Sequence, residues 1–149
     1  MELNMVARTG RDKQRYKATI RLCAGTIPVR NGKILLVTSR RKPVWGFPKG
    51  GWENDESCQE CAIRESKEEA GVTGIITHSL GQHSHYSNSC CVSSWEMFIL
   101  QVDREYEHWP EESERQRKWC TIEEALLLPM NMTTSYFLQE YIKFSIQCQ

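Results

Sequence analysis

The middle of this sequence predicts a short helix that has capping signals at both ends and carries three glutamates on one face. Ser57–Glu60 has the form of a capping box, in which the Ser hydroxyl and the Glu carboxylate each accept a backbone N–H. Gly71 suits the left-handed conformation that often ends a helix. We therefore expect a helix from about Cys58 to Ala70, and the rest of the fold must accommodate its charged face.

Glu65, Glu68 and Glu69 stand at positions i, i+3 and i+4 of this helix, so their carboxylates project from one side over about one turn. Like charges at this spacing repel one another, raise the carboxylate pKa values and destabilise the helix unless a cation compensates. Hard divalent cations prefer oxygen ligands, so Mg²⁺ or Mn²⁺ is the expected cofactor. The alternative is an acidic helix face in water, on which Arg64 and Lys67 form local ion pairs.

Short β-rich segments surround the predicted helix. Thr19–Pro28 and Lys33–Thr38 flank an Asn-Gly pair, which is a strong signal for a β-hairpin. Further expected elements are an ordered loop over Pro43–Trp52, strands over Gly74–Gly81, Cys91–Val102 and Lys118–Thr121, an acidic surface loop over Asp103–Glu114, and helices that begin at Thr121 and span Thr133–Ile146. We expect a single domain, residues 1–149, of the α/β or α+β class with a mixed sheet.

A longer pattern contains the glutamates. Gly50 is followed after five residues by Glu56, after seven more by Arg64-Glu65, and then by Glu68-Glu69-Ala70-Gly71-Val72. With this pattern the chain resembles the Nudix hydrolases, and residues 50–72 form its Nudix box. Ser66 departs from the family, which usually has an aliphatic residue there, and we expect the change to affect packing behind the helix. The resemblance implies an α/β/α sandwich with the mixed sheet between helices.

The resemblance implies metal-dependent hydrolysis of a phosphoanhydride bond by water that attacks phosphorus. Glu65 and Glu69 would be the principal metal ligands, helped by a backbone carbonyl near Lys49 or Gly50. Glu68 would hold a metal-bound water or act as general base. Bound Mg²⁺ or Mn²⁺ would neutralise charge on the phosphates and lower the pKa of water.

The resemblance also implies an orienting pair beside the metal ligands. Arg64 would orient the carboxylates by pairing with Glu56. Together with Glu68, these two residues make up the predicted catalytic set.

The net charge of zero hides an uneven distribution. Residues 1–52 hold twelve basic and two acidic side chains, whereas residues 53–149 hold seven basic and seventeen acidic ones. Either the two parts mix on the folded surface and cancel, or they bring anion-binding and cation-binding groups together. The Nudix resemblance favours the second interpretation, because the acidic part includes the metal ligands and the basic part would hold phosphates.

Segments that overlap the start of the Nudix box or follow the box identify a narrower group of relatives. Phe47–Glu56, Arg115–Trp119 and Ser135–Phe137 look like those of the diphosphoinositol polyphosphate phosphohydrolases, especially fungal and plant-like ones. This implies removal of the β-phosphate of inositol pyrophosphates, with polyphosphate as a further substrate. Such a small polyanion needs several cations, and Arg holds phosphate with two donors. The candidate substrate-binding residues are Lys17, Arg21, Arg40, Arg41, Lys42, Lys49 and Arg115.

Related enzymes tend to carry basic residues over positions 83–91, where this chain has His83 and His85. These histidines either add a pH-dependent positive charge to the pocket or lie on the surface of a loop, and the second interpretation is slightly favoured.

Other functions stay open. Hydrolysis of diadenosine polyphosphates would use an aromatic side chain to stack on adenine, with Trp45, Trp52 and Tyr86 as candidates, although core packing is the commoner role of such residues. Removal of an mRNA cap is another enzymatic alternative. A non-catalytic Nudix-fold module that binds RNA or protein is disfavoured because every glutamate of the metal site is present.

Composition also limits the state of the cysteines, the membrane association and the compartment. The seven cysteines are an odd number and Cys58-x-x-Cys61 has no second ligand pair, so we expect free thiols rather than disulfides or zinc. No apolar run is long enough to cross a bilayer, and the first residues lack the apolar core of a secretory signal. We expect a cytoplasmic or nuclear monomer without a membrane or stable nucleic-acid partner; an effector secreted with its signal removed shows the same features.

Overall fold

The computed structural model describes residues 6–148. The expectation that the first residues are not a secretory signal rests partly on residues 1–5, which lie outside the described residues. The strands are β1 (Tyr16–Lys17), β2 (Ile20–Arg30), β3 (Lys33–Thr38), β4 (Trp45–Gly46), β5 (Lys49–Gly51), β6 (Val72–Ser87), β7 (Cys90–Glu105) and β8 (Arg117–Cys120). The helices are α1 (Cys58–Glu65), α2 (Ile122–Leu126) and α3 (Met132–Gln147), and a π-helical turn, Ser66–Ala70, continues α1.

These strands form one mixed sheet, as the sequence predicts. Its main path runs β4-β3-β2-β7-β6, while β1 and β5 pair with β2 and β8 pairs with β3. β2 and β7 are parallel, and the other pairings are antiparallel. Because β5 pairs with the middle strand β2, the residues just before α1 lie against the centre of the sheet.

Alternation along the strands explains why helices cover both faces of the sheet. On β3, Ile34 and Leu36 are buried in the same cluster as Phe137 of α3. Leu35 and Val37, which alternate with them, are buried in a separate cluster with Ala70 of the π-helical turn. The expected arrangement of a sheet between helices is therefore confirmed.

Two hairpins of the sheet, β2–β3 and β6–β7, differ in how well their turns are predicted. Asn31 and Gly32 have φ values of 53° and 74° and form the predicted tight turn between β2 and β3. The β6–β7 hairpin is much longer than predicted and turns at Asn88 and Ser89, so the interpretation that His83 and His85 lie on a loop is wrong. Irregularities in its register hide the simple alternation that identifies a strand.

The glutamate helix begins as predicted but changes geometry before its end. The Ser57 N–H donates to Glu60 Oε1 at 2.8 Å and the Glu60 N–H donates to Ser57 Oγ at 3.1 Å, which confirms the capping box. The α-helix stops at Glu65, and the last turn is π-helical until Gly71 ends it at φ 67°. A π-helical turn is wider than an α-helical one, so it changes the direction of the side chains it carries.

Ser66 stands where the α-helix becomes π-helical. Its hydroxyl donates to the Ala62 carbonyl at 2.8 Å and lies 2.7 Å from the Thr26 hydroxyl of β2. A buried pair of hydroxyl groups therefore takes the place of an aliphatic contact between helix and sheet.

The acidic stretch predicted as a surface loop is partly buried. β7 continues to Glu105, and in the loop that follows Trp109 and Glu111 are buried. The Trp109 indole N–H donates to the Glu69 carbonyl at 2.9 Å, and the Glu111 N–H donates to the Glu68 carbonyl at 3.1 Å. The last carbonyls of a helix need outside donors, and this loop supplies them.

The seven cysteines are free, as expected, and Cys23, Cys61 and Cys120 are buried. Among residues 6–148, no helix is both long and apolar enough to cross a membrane.

Candidate functional site

The glutamates of α1 and the π-helical turn are buried beside β5. Glu65, Glu68 and Glu69 are only 8%, 6% and 7% exposed. The alternative of an acidic helix face in water is therefore wrong. At Gly50, an added Cβ would lie 2.4 Å from Glu65 Cδ, so only glycine leaves room for this carboxylate.

Arg64 is the cation at the centre of these carboxylates. Its Nε and Nη2 donate to the two Glu56 oxygens at 2.8 Å each, as the resemblance implied. Its Nη1 donates to Glu65 Oε1 and Glu68 Oε2 at 2.9 Å each. Burial opposes ionisation of Glu56, but the Arg64 donors outweigh it and hold the Glu56 pKa below its usual range. One guanidinium thus orients three carboxylates.

Glu65 and Glu69 are less well compensated. Burial, and then the neighbouring Glu69 carboxylate, raise the pKa of Glu65 well above its usual range. Burial raises the pKa of Glu69 to about 7, although Arg115 and Lys49 lower it. The backbone N–H of Lys49 donates to Glu69 Oε1 at 3.3 Å, and Arg115 Nη2 lies 3.5 Å from Glu69 Oε2.

The donor set fits a hard divalent cation. Three buried carboxylates, those of Glu65, Glu68 and Glu69, line one cleft with Gly50, and carboxylate oxygens are the ligands that hard divalent cations prefer. Buried anions are costly unless they are paired, and a divalent ion would relieve the charge that Arg64 leaves uncompensated.

A second group of carboxylates lies next to this set. Glu53, Asp55 and Glu56 each place an oxygen within 4.8 Å of the others. Arg8 pairs with Glu53 and Asp55, and Arg64 pairs with Glu56. Because cations of the chain already balance this group, we do not assign it a metal.

The structure brings most of the candidate substrate-binding cations together. A cleft of about 240 Å³ surrounds the glutamates and adjoins a pocket of about 670 Å³. Four candidates line the cleft and two more line only the pocket. The four are Arg21, Arg40, Lys49 and Arg115, and the two are Arg41 and Lys42.

Lys17 is the candidate that the structure places elsewhere. In the short β1–β2 pairing, Lys17 stands opposite Ile20 and Tyr16 stands opposite Arg21. Side chains alternate between the faces of a strand, so Lys17 and Arg21 project from opposite faces. Lys17 lines a separate pocket with Cys58 and other residues, and it is removed from the candidate substrate site.

Glu111 is a site residue that the sequence did not reveal. Its carboxylate accepts from Arg115 Nε at 2.8 Å and pairs with Arg40 Nη2 at 3.0 Å. Arg115 Nη1 also donates to the Thr38 carbonyl at 2.9 Å. Glu111 therefore fixes two cleft cations, and the only signal for this was its i, i+4 spacing to Arg115.

The aromatic candidates lie in different environments. Trp45 lines the pocket beside Arg41 and Lys42. Trp52 is covered by the Arg15 guanidinium at 4.5 Å from its ring and donates to the Glu56 carbonyl at 2.9 Å, so its role is structural. Tyr86 lies exposed near the tip of the β6–β7 hairpin. Trp95, which was not predicted, lines both the cleft and the pocket.

His83 and His85 are not among the residues that line the cleft or the pocket. The His83 ring stacks on Tyr136 of α3 with 3.9 Å between centroids, so it does not lie on a loop surface. His85 is exposed on β6.

Comparison with known proteins agrees with this fold. A family model described as NUDIX domain matches residues 19–141. The chain belongs to the Nudix family of hydrolases. Members of this family act on phosphoanhydride bonds of small phosphate-containing substrates and generally use divalent ions such as Mg²⁺ or Mn²⁺.

Two curated relatives illustrate the range of similarity. "Nudix hydrolase 21, chloroplastic" from Arabidopsis thaliana is 40% identical over 157 residues, which cover 99% of this chain and 79% of the relative. "Diphosphoinositol polyphosphate phosphohydrolase 3-alpha" from Mus musculus is 36% identical over 100 residues, which cover 65% of this chain and 60% of the relative.

Solved structures share the fold at lower identity. A NUDIX hydrolase from Nitrosomonas europaea has a TM-score of 0.72 at 17% identity and covers 83% of this chain and 89% of its own. A C. elegans Ap4A hydrolase in a binary complex has a TM-score of 0.64 at 23% identity and covers 85% of this chain and 98% of its own.

Proposed function

We propose that this protein removes the β-phosphate of inositol pyrophosphates in a reaction that depends on Mg²⁺ or Mn²⁺, and that it also accepts polyphosphate. The observation that carries the proposal is the row of cations that continues from the glutamates into the adjoining pocket. The row begins with Lys49 and Arg115, which line the cleft with Glu69, and extends to Arg40, Arg41 and Lys42 in the adjoining pocket. A compact substrate with many phosphates matches such a row, because each phosphate needs its own cation.

In this proposal, Glu65 and Glu69 are the principal metal ligands, with the Gly50 carbonyl and Glu68 completing the set. The bound metal would neutralise charge that develops on the phosphates and would lower the pKa of water. Glu68 takes the proton of the attacking water, and Arg64 holds its carboxylate at 2.9 Å.

The cations of the cleft have a separate role. Lys49 and Arg115 bind the β-phosphate that is released and the phosphate oxygens on which negative charge increases in the transition state. Glu111 and the Thr38 carbonyl hold the Arg115 guanidinium, so its direction is set before the substrate binds. Pre-oriented donors lose little freedom when the transition state forms.

A second candidate function is hydrolysis of diadenosine polyphosphates. It is favoured by Trp45 and Trp95, which line the same pocket as Arg41 and Lys42 and would stack on adenine. The structurally similar C. elegans protein is titled an Ap4A hydrolase.

A comparison of the two substrate classes tests the proposal. Phosphate release from an inositol pyrophosphate and cleavage of a diadenosine polyphosphate are measured at equal Mg²⁺ for the wild type, Arg41→Ala/Lys42→Ala and Trp45→Ala. We expect the inositol pyrophosphate to be preferred, and the double variant to lose about tenfold or more in kcat/KM for it. A preference for the dinucleotide that Trp45→Ala abolishes would overturn the proposal in favour of the second candidate.

The matched control is Arg30→Ala/Lys33→Ala, which removes two equally exposed cations at the β2–β3 hairpin. If this control loses as much kcat/KM as Arg41→Ala/Lys42→Ala, the effect reflects overall charge rather than the proposed phosphate site.

We also propose that the protein acts as a cytoplasmic monomer. Light scattering at micromolar concentration tests the oligomeric state. Fractionation of expressing cells tests the compartment, and recovery in an organelle would match the name of the chloroplastic plant relative instead.

A further inference from the structure

Residues 6–18, called here the N-terminal segment, lie outside the region that the family model matches, which begins at residue 19. They nevertheless line the candidate active site: Arg8, Gly10 and Gln14 are among the residues around the glutamate cleft. Two contacts from this segment reach groups of the site: one is at Glu68, to which the proposed function gives a role, and the other is at Arg21, a candidate substrate-binding cation that lines the cleft.

The first contact holds the Glu68 carboxylate. The backbone N–H of Arg8 donates to Glu68 Oε1 at 2.9 Å, while Arg64 Nη1 donates to Oε2. The Arg8 side chain pairs with Glu53 and Asp55, which anchors the backbone donor in place. Both oxygens of Glu68 are therefore oriented, one by the Nudix box and one by the N-terminal segment.

The second contact holds the Arg21 guanidinium. Gln14 is buried, and its Nε2 donates to the carbonyls of Leu22 at 2.7 Å and Arg15 at 2.9 Å. Its Oε1 accepts from Arg21 Nε at 2.9 Å. A Cβ at Gly51 would lie 1.8 Å from this oxygen, so Gln14 fits closely against the strand that leads into the Nudix box.

We propose that the N-terminal segment is a positioning element of the active site, with two separable effects. The Arg8 N–H orients Glu68 and so affects kcat, whereas Gln14 orients Arg21 and so affects the binding of polyanionic substrates. The proposal rests on the role proposed above for Glu68 and on the prediction that Arg21 binds substrate phosphates. It assigns a function to residues that precede the shared family region.

Arg8→Pro tests the first effect, because proline has no backbone N–H. Arg8→Ala is the matched control, because alanine keeps the backbone N–H and loses only the ion pairs of the side chain. We expect Arg8→Pro to lower kcat about tenfold or more with KM near the wild-type value, and Arg8→Ala, which loses the anchoring ion pairs but keeps the N–H, to lower kcat less. Equal kcat values in the two variants would overturn this part of the proposal.

A second variant covers the case in which Arg8→Pro destabilises the fold, as judged by a lowered Tm. An ester in place of the amide at Arg8 removes the N–H without adding a ring. It can be introduced by ligating a synthetic 1–22 peptide to residues 23–149 at Cys23. We expect the same loss of kcat, and wild-type kcat in a folded ester variant would contradict the proposal.

Gln14→Met tests the second effect, because methionine has a similar length and no strong hydrogen-bonding groups. The probe is inositol hexakisphosphate, whose dissociation constant is measured by calorimetry. We expect about tenfold weaker binding in Gln14→Met and no further weakening when Gln14→Met is added to Arg21→Ala. If Gln14→Met weakens binding equally in both backgrounds, Gln14 does not act through Arg21.

These outcomes are distinct from failure of the proposed function. If the wild type does not hydrolyse inositol pyrophosphate, the proposed substrate is wrong, and the kcat of the Arg8 variants is compared on the anhydride that it does hydrolyse. A titration with Mn²⁺ gives a readout without turnover. We expect Arg8→Pro to bind Mn²⁺ less tightly than Arg8→Ala, and equal affinity together with equal kcat would overturn the assignment of Arg8.

Discussion

Trp109 donates a hydrogen bond of 2.9 Å from its indole N–H to the backbone carbonyl of Glu69, a residue forty positions earlier in the chain. Both residues are buried, and the Trp109 ring also lies 3.9 Å from the Arg117 guanidinium. The loop after β7 thus fixes the end of the π-helical turn that carries the candidate metal ligands.

Trp109→Phe removes this donor and keeps most of the aromatic ring. We expect it to lower the free energy of unfolding by about 1–2 kcal/mol, because the buried Glu69 carbonyl loses its partner, and to reduce turnover. Denaturant unfolding and a phosphate-release assay measure the two effects. The control is Trp119→Phe, which loses a hydrogen bond from Trp119 to Glu105 at the surface, and turnover reduced equally in both variants would contradict the prediction.

Glu69→Gln keeps the size of the side chain and removes its charge. We expect a normally folded protein that loses at least about 100-fold in turnover with Mg²⁺, because a neutral amide is a poor ligand for a hard cation. The control is Glu107→Gln, which changes an exposed carboxylate in the loop after β7. Near-normal turnover of Glu69→Gln would remove Glu69 from the metal site.

Gly50→Ala adds a methyl group that meets the Glu65 carboxylate at 2.4 Å. The carboxylate must move, so we expect weaker Mn²⁺ binding and reduced turnover. Calorimetric titration with Mn²⁺ measures the first effect directly. Unchanged affinity would show that the Glu65 position is not needed for the ion.

Ser66→Ala leaves the buried Thr26 hydroxyl without its partner. We expect a loss of about 1–3 kcal/mol in the free energy of unfolding, because an unsatisfied buried hydroxyl is costly. The double variant Thr26→Val/Ser66→Ala removes both hydroxyls and should be more stable than the sum of the single effects. Additive effects in a double-mutant cycle would mean that the 2.7 Å contact contributes no coupling energy.

The pairing of Glu56 with Arg64 predicts a pH dependence of stability. Although burial favours the neutral form, the Arg64 donors hold the Glu56 pKa below its ordinary value of 4.5, so folding favours the charged form. This contribution is present above the pKa of the unfolded chain and is lost as the pH falls through the pKa of the folded protein. The stability difference between wild type and Glu56→Gln in urea unfolding should therefore stay nearly constant well above the ordinary pKa of 4.5 and shrink as the pH falls below it. A constant difference would contradict the assignment.

The local elements near the glutamates were predictable because their causes are local. The capping box at Ser57 and Glu60 and the positive φ at Gly71 depend on neighbours in sequence, and both are present in the structure. The long β6–β7 hairpin was underestimated because its register shifts break the alternation of apolar residues and its Asn88-Ser89 turn lacks glycine.

The sequence by itself determined the Nudix spacing, the mixed sheet and the set of glutamates and cations. Only the tertiary structure decided which of these glutamates and cations lie together in the cleft. Arg21 reaches the cleft and Lys17 does not, because they project from opposite faces of one strand pair. Glu111 joins the site through contacts with Arg40 and Arg115. Burial and long-range hydrogen bonds depend on which strands become neighbours, and no local pattern in the chain encodes that.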